Sequence, residues 1–212
     1  MIESYITVSG SSCEEITINK SRFIGYAVSC EDETSALSFL QRIREEHNTA
    51  THHCYAYIIG ENSGIMRYSD DGEPGGTAGM PIMDVMRTKQ VVNCCIVVVR
   101  YFGGVLLGTG GLVRAYTKSA QAALEAAGIV RMERTSAAFC DVPYSVWDKL
   151  RYAAEHLHVR IENVQFGSSV TFLLHYRSSD AESVLPRITE ASERKLKALP
   201  QDECFLPWTI DP

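Results

Sequence analysis

Hydrophobic and polar residues alternate weakly along the N-terminal part of the chain, a pattern that is typical of strands. The alternation predicts strands at residues 5–8, 15–18 and 23–28. Apolar residues then recur at helical spacing, and Asp32 is a suitable N-cap residue, so a helix is predicted from there to about His47. The strand pattern returns at residues 52–59.

The next stretch, residues 60–79, is polar and rich in Gly, Asp and Ser, and it is too long for a simple turn. Long connections in compact domains often carry function. Thr77 is a suitable N-cap residue for a short helix that extends to about Arg87.

The strongest strand signal is the unbroken apolar run at residues 94–99. A strand that lacks polar alternation is typically buried on both faces. We therefore expect an inner strand of a sheet, with Val97 and Val98 shielded from solvent. A glycine-rich segment follows, and then a long helical pattern that ends at Gly128.

After Gly128 the pattern restarts on a smaller scale. The predicted elements are a strand at residues 137–142, a helix that Ser145 caps, a hairpin of residues 160–165 and 170–176, and a helix that begins with the capping box of Ser179 and Glu182. Strand, helix, two strands, helix and a last strand is the ferredoxin-like order. We therefore predict an α+β protein with an N-terminal domain of residues 1–134 and a smaller ferredoxin-like domain of residues 135–212.

Composition narrows the class of protein. Of the 212 residues, 45% are hydrophobic and 22% are charged, which is ordinary for a folded chain and excludes a disordered or collagen-like protein. The net charge of −6 excludes a highly basic protein that coats nucleic acid. The apolar runs are too short for a membrane span, and the N-terminus lacks the pattern of a signal peptide, so no membrane partner is expected.

The cysteine pattern indicates a reducing compartment. The seven cysteines are an odd number, and none forms a Cys-x-x-Cys pair. Cys54, Cys94 and Cys95 lie in apolar, strand-like runs, where a reduced thiol behaves as a small hydrophobe. We expect a cytoplasmic protein without a disulfide framework.

One stretch of this acidic chain is locally basic. Between Asp84 and Glu125 there is no acidic residue, and the basic residues are Arg87, Lys89, Arg100, Arg114 and Lys118. The stretch coincides with the glycine-rich segment. Either these charges form a contact surface for a polyanion, or they are simply solvated surface charges.

The glycine-rich segment, residues 103–114, leads from the apolar strand into a helix. A helix N-terminus presents unpaired N–H groups and the positive end of the helix dipole, and glycines let an anion approach them. The candidate anion-binding residues are Gly103, Gly104, Thr109, Gly110 and Gly111, with Arg100 and Arg114 as a charged fork. The segment contains neither Gly-x-Gly-x-x-Gly nor Gly-Lys-Ser/Thr. The alternative is a tight turn with close helix packing, in which Thr109 is an ordinary cap.

Three carboxylates, Asp70, Asp71 and Glu73, precede the stiff Pro74 and a pair of glycines. Hard cations take oxygen ligands of this kind, but the spacing is not that of a calcium loop, and Asp and Gly are also the usual turn residues. We predict no metal and no cofactor. Instead we expect the loop to fold back so that its carboxylates pair with Arg100 or Arg114.

The sequence His52-His53-Cys54 resembles the start of a cysteine–histidine nucleophile. Successive side chains of a strand point to opposite faces, so His53 and Cys54 do not form such a dyad within one strand. Cys54 is therefore predicted to be structural, and His53 remains a candidate binding residue.

Four segments together resemble the signature blocks of the YigZ/IMPACT family. They are SRFI at 21–24, HHCYAY at 52–57, SDDGEPGGTAG at 69–79 and VRYFGGVLLGTGGLVRAY at 99–116. The resemblance covers residues 15–128, and the remainder is similar to the small domain of the bacterial two-domain members. It implies a ribosomal-protein-type βα sandwich, shared with domain IV of elongation factor G, followed by a ferredoxin-like domain that resembles the last domain of that factor.

The resemblance also implies a role in translational control, because the eukaryotic relatives bind an activator of a starvation-responsive kinase. It implies no catalytic residues. Our leading hypothesis is a translation-associated binding protein that contacts RNA, the ribosome or a protein partner, and not DNA. The predicted contact face carries the acidic loop with its glycine pair, the glycine-rich segment, and the side chains of Arg22, His53, Arg100 and Arg114. One alternative is a hydrolase or phosphoryl-transfer enzyme that uses Asp70, Asp71, Glu73 and His53. A second is a protein-interaction adaptor, the role that the eukaryotic relatives suggest.

Overall fold

The structure is a computed structural model that describes residues 2–208. Residue 1 and residues 209–212, which end the two predicted domains, lie outside the described part. The chain divides into two compact units, one of residues 5–131 and the other of residues 132–208 with 2–4. Helices combine with antiparallel sheets, which confirms the α+β class.

The larger unit contains a sheet of five antiparallel strands. A first strand, β1 (Ser4–Val8), precedes the strands of this sheet, which are β2 (Ser11–Ile18), β3 (Ser21–Ser29), β4 (His52–Ile59), β5 (Ile65–Ser69) and β6 (Cys94–Tyr101). Their order across the sheet is β2-β3-β6-β4-β5. The polar stretch 60–79 thus contains a strand that sequence analysis missed, since β5 is short and mostly exposed.

Strand β6 lies between β3 and β4, and residues 94–99 are 0% exposed. The prediction of an inner strand is therefore confirmed, including the burial of Val97 and Val98. The unbroken apolar run is needed because helices cover both faces of the sheet at this strand.

Strand alternation divides the core of the larger unit into two layers. Helix α1 (Glu33–Glu46), which Asp32 caps as predicted, packs on one face with side chains such as Val97 and Val99. Helices α2 (Gly79–Thr88) and α3 (Gly108–Ala127) pack on the other face with Ile96 and Val98. Gly128, with φ of +75°, ends α3 as predicted, because a left-handed residue stops a helix at low cost only when it is glycine.

The smaller unit follows the predicted order of elements. They are β7 (Ile129–Val142), whose later part belongs to this unit, α4 (Tyr144–Glu155), β8 (Arg160–Phe166), β9 (Val170–Arg177), α5 (Ala181–Ala191), β10 (Lys197–Pro200) and β11 (Cys204–Pro207). β7 pairs with β9, β9 pairs with β8, and β10 and β11 pair with successive stretches of β7. Val146 and Leu150 of α4 and Ile188 of α5 pack with Phe172 and Leu174 of β9.

Three details of the smaller unit differ from prediction. β7 begins at Ile129 rather than at residue 137. Pro143, not Ser145, precedes α4, and Ser179 lies in a short 3₁₀ turn, so neither serine caps a helix. Local sequence signals identify a helix reliably, but they leave its first residue uncertain by a few positions.

No helix within residues 2–208 is long and apolar enough to cross a membrane.

Candidate functional site

Arg100 and Glu73 form a buried ion pair at the end of strand β6. Alternation along β6 places Arg100 on the same face as Ile96 and Val98, towards α2 and α3. Its Nη1 donates to Glu73 Oε1 at 2.6 Å, and the two side chains are only 6% and 3% exposed. The prediction that the acidic loop folds back onto an arginine is confirmed for this pair.

Two further groups complete the buried polar cluster around Glu73. The hydroxyl of Tyr116 donates to Glu73 Oε1 at 2.7 Å, and His52 Nε2 lies 3.9 Å from the same oxygen. Burial, above all, raises the pKa of Tyr116, so the phenol stays protonated and remains a donor. Two donors, Arg100 Nη1 and the Tyr116 hydroxyl, thus converge on one oxygen of Glu73.

Cys54 lies beneath this cluster and is fully buried. Its Sγ lies 3.0 Å from the Asp70 carbonyl oxygen and 3.4 Å from the Tyr116 hydroxyl oxygen. Burial raises the pKa of the thiol, and the nearby carboxylates Glu73 and Asp71 raise it further. A protonated, inaccessible thiol is a structural residue, which agrees with the sequence prediction.

Arg100 is also held by aromatic rings. Its guanidinium lies 5.4 Å from the ring centre of Phe23 and 5.5 Å from that of Phe102, distances at which a cation is attracted to the ring face. Nη2 makes only a long contact, of 3.4 Å, with the Ser21 hydroxyl. Within residues 2–208, the buried Nε has no hydrogen-bond acceptor.

The other two acidic residues of the loop have separate structural roles. The Asp70 carboxylate accepts hydrogen bonds from the amides of Gly76, Ala78 and Gly79, at 2.8, 3.0 and 2.8 Å, and so caps the N-terminus of α2. Thr77, the predicted cap, instead donates to the Pro74 carbonyl oxygen.

Asp71 holds the start of β4. Its Oδ2 accepts from the His53 amide at 2.6 Å, and its Oδ1 lies 3.5 Å from Arg44 Nη2. The three acidic residues of the loop thus stabilise three different parts of the structure. Residues 2–208 contain no group of three or more His, Cys, Asp or Glu suited to a metal ion.

In the glycine-rich segment, Gly103 packs closely against another part of the chain, whereas Gly104 and Gly108 do not. A Cβ on Gly103 would lie 2.0 Å from the carbonyl carbon of Lys20, so only glycine fits there. Gly104 and Gly108 have φ of +79° and +67° and face open space. Helix α3 begins at Gly108, and Thr109 lies inside its first turn rather than at the cap position.

The N-terminus of α3 is left open by the side chains of the described residues. Leu107 occupies the N-cap position and makes no side-chain capping bond. The amides of residues 108–110 precede the first intrahelical bond, which the Gly111 amide donates to the Leu107 carbonyl oxygen, so they have no partner within the helix. Gly110 and Gly111 carry no side chains that would shield these amides, and Arg114 Nη1 lies 3.7 Å from the Cβ position of Gly110.

The predicted contact face is divided between the two faces of the sheet. Arg22 pairs with Glu15 and lies over the ring of Tyr101, which packs against the α1 layer. His53 Nε2 donates to the carbonyl oxygen of His47, just after α1. Arg22 and His53 are therefore not brought together with Arg100 and the start of α3, because alternate strand residues face opposite layers.

A cleft of about 430 Å³ lies beside the start of α3. Its lining residues are Thr51, His52, Glu73, Pro74, Arg100, Phe102, Leu106, Leu107, Gly108, Thr109 and Leu112. Sequence analysis did not select His52, Phe102, Leu106 or Tyr116. The alternation along β4 already placed His52 opposite His53, but only the pairing of His52 with Arg100 across β4 and β6 brings it to the cleft.

The basic stretch is only partly available to a partner. Arg100 is buried, and Arg87 lies 3.7 Å from Asp84. Arg114 and Lys118 are exposed, one turn apart on α3, and neither forms an ion pair with a carboxylate of residues 2–208. The exposed cations of this stretch without a carboxylate partner among residues 2–208 are thus Lys89, at the end of α2, and Arg114 and Lys118 on α3.

Comparisons with known proteins identify relatives of this chain. The family model of the Impact N-terminal domain matches residues 19–124. The chain is 35% identical over 195 residues to the IMPACT family member YvyE of Bacillus subtilis, a match that covers 92% of this chain and 90% of the relative. It is also 35% identical over 195 residues to an IMPACT family member of Haemophilus influenzae, covering 91% of this chain and 94% of that protein.

A shorter match and a solved structure extend the likeness. Over 101 residues the chain is 46% identical to the IMPACT family member YigZ of Escherichia coli, which covers 47% of this chain and 50% of YigZ. A crystal structure described as that of a hypothetical protein superposes with a TM-score of 0.61 at 29% identity, covering 94% of this chain and 98% of the other. On the family model and the near full-length relatives, the chain belongs to the IMPACT family.

Proposed function

We propose that this protein is a cytoplasmic, translation-associated protein that binds RNA through the exposed side of α3 that carries Arg114 and Lys118. The observation that carries the proposal is the pair Arg114 and Lys118, two exposed cations one turn apart without a carboxylate partner among residues 2–208. They follow the open amides at the start of α3. Helix N-termini and unpaired cations are the groups that contact phosphates in nucleic-acid complexes.

The overall charge makes this local concentration important. The protein carries a net charge of −6 and so repels a polyanion at long range. Binding then depends on the acid-free stretch between Asp84 and Glu125. The resemblance to the IMPACT family implies a role in translational control. This role supports RNA or a ribosomal surface as the binding partner.

We further propose that the two units are separate domains, with the boundary inside β7 near Arg134. The larger would be a ribosomal-protein-type βα sandwich and the smaller a ferredoxin-like domain. The order β7, α4, β8, β9, α5, β10 and the strand sequence β10-β7-β9-β8 support the second assignment.

RNA binding is tested by fluorescence anisotropy with a labelled single-stranded RNA, the full chain and a series of KCl concentrations. Replacing Arg114 and Lys118 together by alanine should weaken binding at low salt about tenfold or more. Each lost phosphate contact also means that fewer counterions are released, so the negative slope of log K against log salt should become shallower by about 1.4.

The matched control removes the same charge from the smaller unit by the double change Arg151→Ala and Arg187→Ala, two exposed positions. It should bind RNA like the parent. Equal losses in both double variants would assign RNA binding to overall charge. Parent protein that shows no salt-dependent RNA binding would refute the proposal. Melting temperatures should match the parent, since all four side chains are exposed.

A further inference from the structure

The cleft beside the start of α3 combines an apolar wall with a polar end. The apolar part of its lining consists of Leu106, Leu107, Leu112, Phe102 and Pro74. Leu106 is 86% exposed and Phe102 is 46% exposed, although both are large and hydrophobic. A volume of about 430 Å³ lies within the range of sites for small molecules.

The polar end contains hydrogen-bond donors that the protein itself leaves without acceptors. Gly108 and Thr109 line the cleft, and their amides belong to the first turn of α3, which no side chain of residues 2–208 caps. Arg100, also part of the lining, is 5% exposed, and its Nε has no acceptor among the described residues. Buried guanidinium N–H groups are normally paired, so this one indicates a missing acceptor.

The charges at this end favour an anionic acceptor. Glu73 neutralises Arg100 through a single oxygen, Oε1. The helix N-terminus adds a partial positive charge. His52 donates its Nδ1 proton to the Asp71 carbonyl oxygen, so this side chain adds no charge that would repel an anion. A compact carboxylate offers two oxygens to the two amides and the arginine.

We propose that this cleft binds a small-molecule carboxylic acid with an apolar tail. The carboxylate would meet the amides of Gly108 and Thr109 and the free donor of Arg100. The tail would lie along Leu106 and Leu107 beneath Phe102. The cleft shares the amides at the start of α3 with the proposed RNA contact but does not include Arg114 or Lys118, and its ligand is tested in the absence of RNA, so this inference does not rest on RNA binding.

The test titrates the full-length protein with hexanoate and, in parallel, with hexanamide, using calorimetry. Hexanoate should bind saturably at one site, and hexanamide, which has the same tail without the charge, should bind about tenfold or more weakly. Equal affinity for the two compounds, or no saturable hexanoate binding at millimolar concentration, would overturn the proposal.

Two pairs of variants locate the binding. Leu106→Asp places a carboxylate on the exposed wall of the cleft and should weaken hexanoate binding about tenfold or more, since like charges repel. Its neighbour Val105, 41% exposed and outside the lining, provides the control Val105→Asp, which should bind hexanoate like the parent. Equal losses in both would mean that hexanoate binds elsewhere.

The second pair tests the amide directly. Thr109→Pro removes one N–H at a first-turn position that tolerates proline, whereas Thr109→Ala keeps it. Hexanoate binding should weaken for the proline variant and not for the alanine variant. If a short peptide ending in leucine with a free carboxylate binds about tenfold more tightly than hexanoate, the cleft is a site for peptide C-termini and the small-molecule assignment is wrong.

Discussion

Arg100 Nη1 lies 2.6 Å from Glu73 Oε1, and neither side chain exposes more than 6% of its surface. The pair connects the inner strand β6 to the acidic loop, across 27 positions of sequence. Both ions have lost most of their hydration, so each depends on the other for compensation. This relationship makes Arg100 a structural residue of the larger unit as well as part of the cleft.

Breaking this pair should be costly. Arg100→Met leaves the Glu73 carboxylate buried with only the Tyr116 hydroxyl as a donor, and the free energy of unfolding in urea should fall by about 3–5 kcal/mol. Adding Glu73→Leu removes the unpaired charge and should restore much of the loss. A double variant as unstable as the sum of its single variants would show that the two side chains do not interact energetically.

The capping role of Asp70 predicts a smaller, local effect. Asp70→Ala removes the acceptor of the Ala78 and Gly79 amides at the start of α2 and of the Gly76 amide in the loop before it. The unfolding free energy should fall by about 1–2 kcal/mol. Hydrogen exchange should accelerate at the amides of Ala78 and Gly79. Asp84→Ala, on the exposed side of the same helix, should change stability by less than about 0.5 kcal/mol.

Two glycines of one segment should respond oppositely to alanine. At Gly103 a methyl group would lie 2.0 Å from a backbone carbon of Lys20, so Gly103→Ala must displace backbone and should lower the melting temperature strongly. At Gly110 the nearest atom is Arg114 Nη1 at 3.7 Å, and the position is helical. Gly110→Ala should therefore be neutral or stabilising by up to about 1 kcal/mol. Equal destabilisation by both changes would contradict the close approach of Gly103 to Lys20.

Cysteine labelling tests burial and protonation together. Cys13 and Cys204 are exposed, whereas the other five cysteines are buried. Burial raises the pKa of Cys30 to about 11 and raises that of Cys54 as well, so these thiols remain protonated as pH rises from 7 to 9. Mass spectrometry after iodoacetamide treatment at pH 8 should show labelling at Cys13 and Cys204 in the native protein and at all seven cysteines in urea. Rapid labelling of Cys54 in the native protein would contradict its burial.

Some features of the fold are visible in short stretches of sequence. The apolar run at residues 94–99 predicts an inner strand because burial on both faces requires apolar side chains at consecutive positions. Asp32 and Gly128 mark helix ends in the sequence because each bonds the backbone of a residue only three positions away. The strand β5 was not predicted because it is only five residues long and its apolar residues Ile65 and Met66 are adjacent, which breaks the alternating pattern of a strand.

The candidate site depended on contacts between distant segments. Alternation separates His52 from His53, yet it does not say which of them meets Arg100; the register between β4 and β6 decides that. Likewise, the acidic loop could pair with either of two arginines by charge alone. Arg100 receives Glu73 because β6 and the loop meet beneath α3, whereas Arg114 lies on the exposed side of that helix. Local pattern thus determined which residues share a face, and only the packing of strands and helices determined which faces meet.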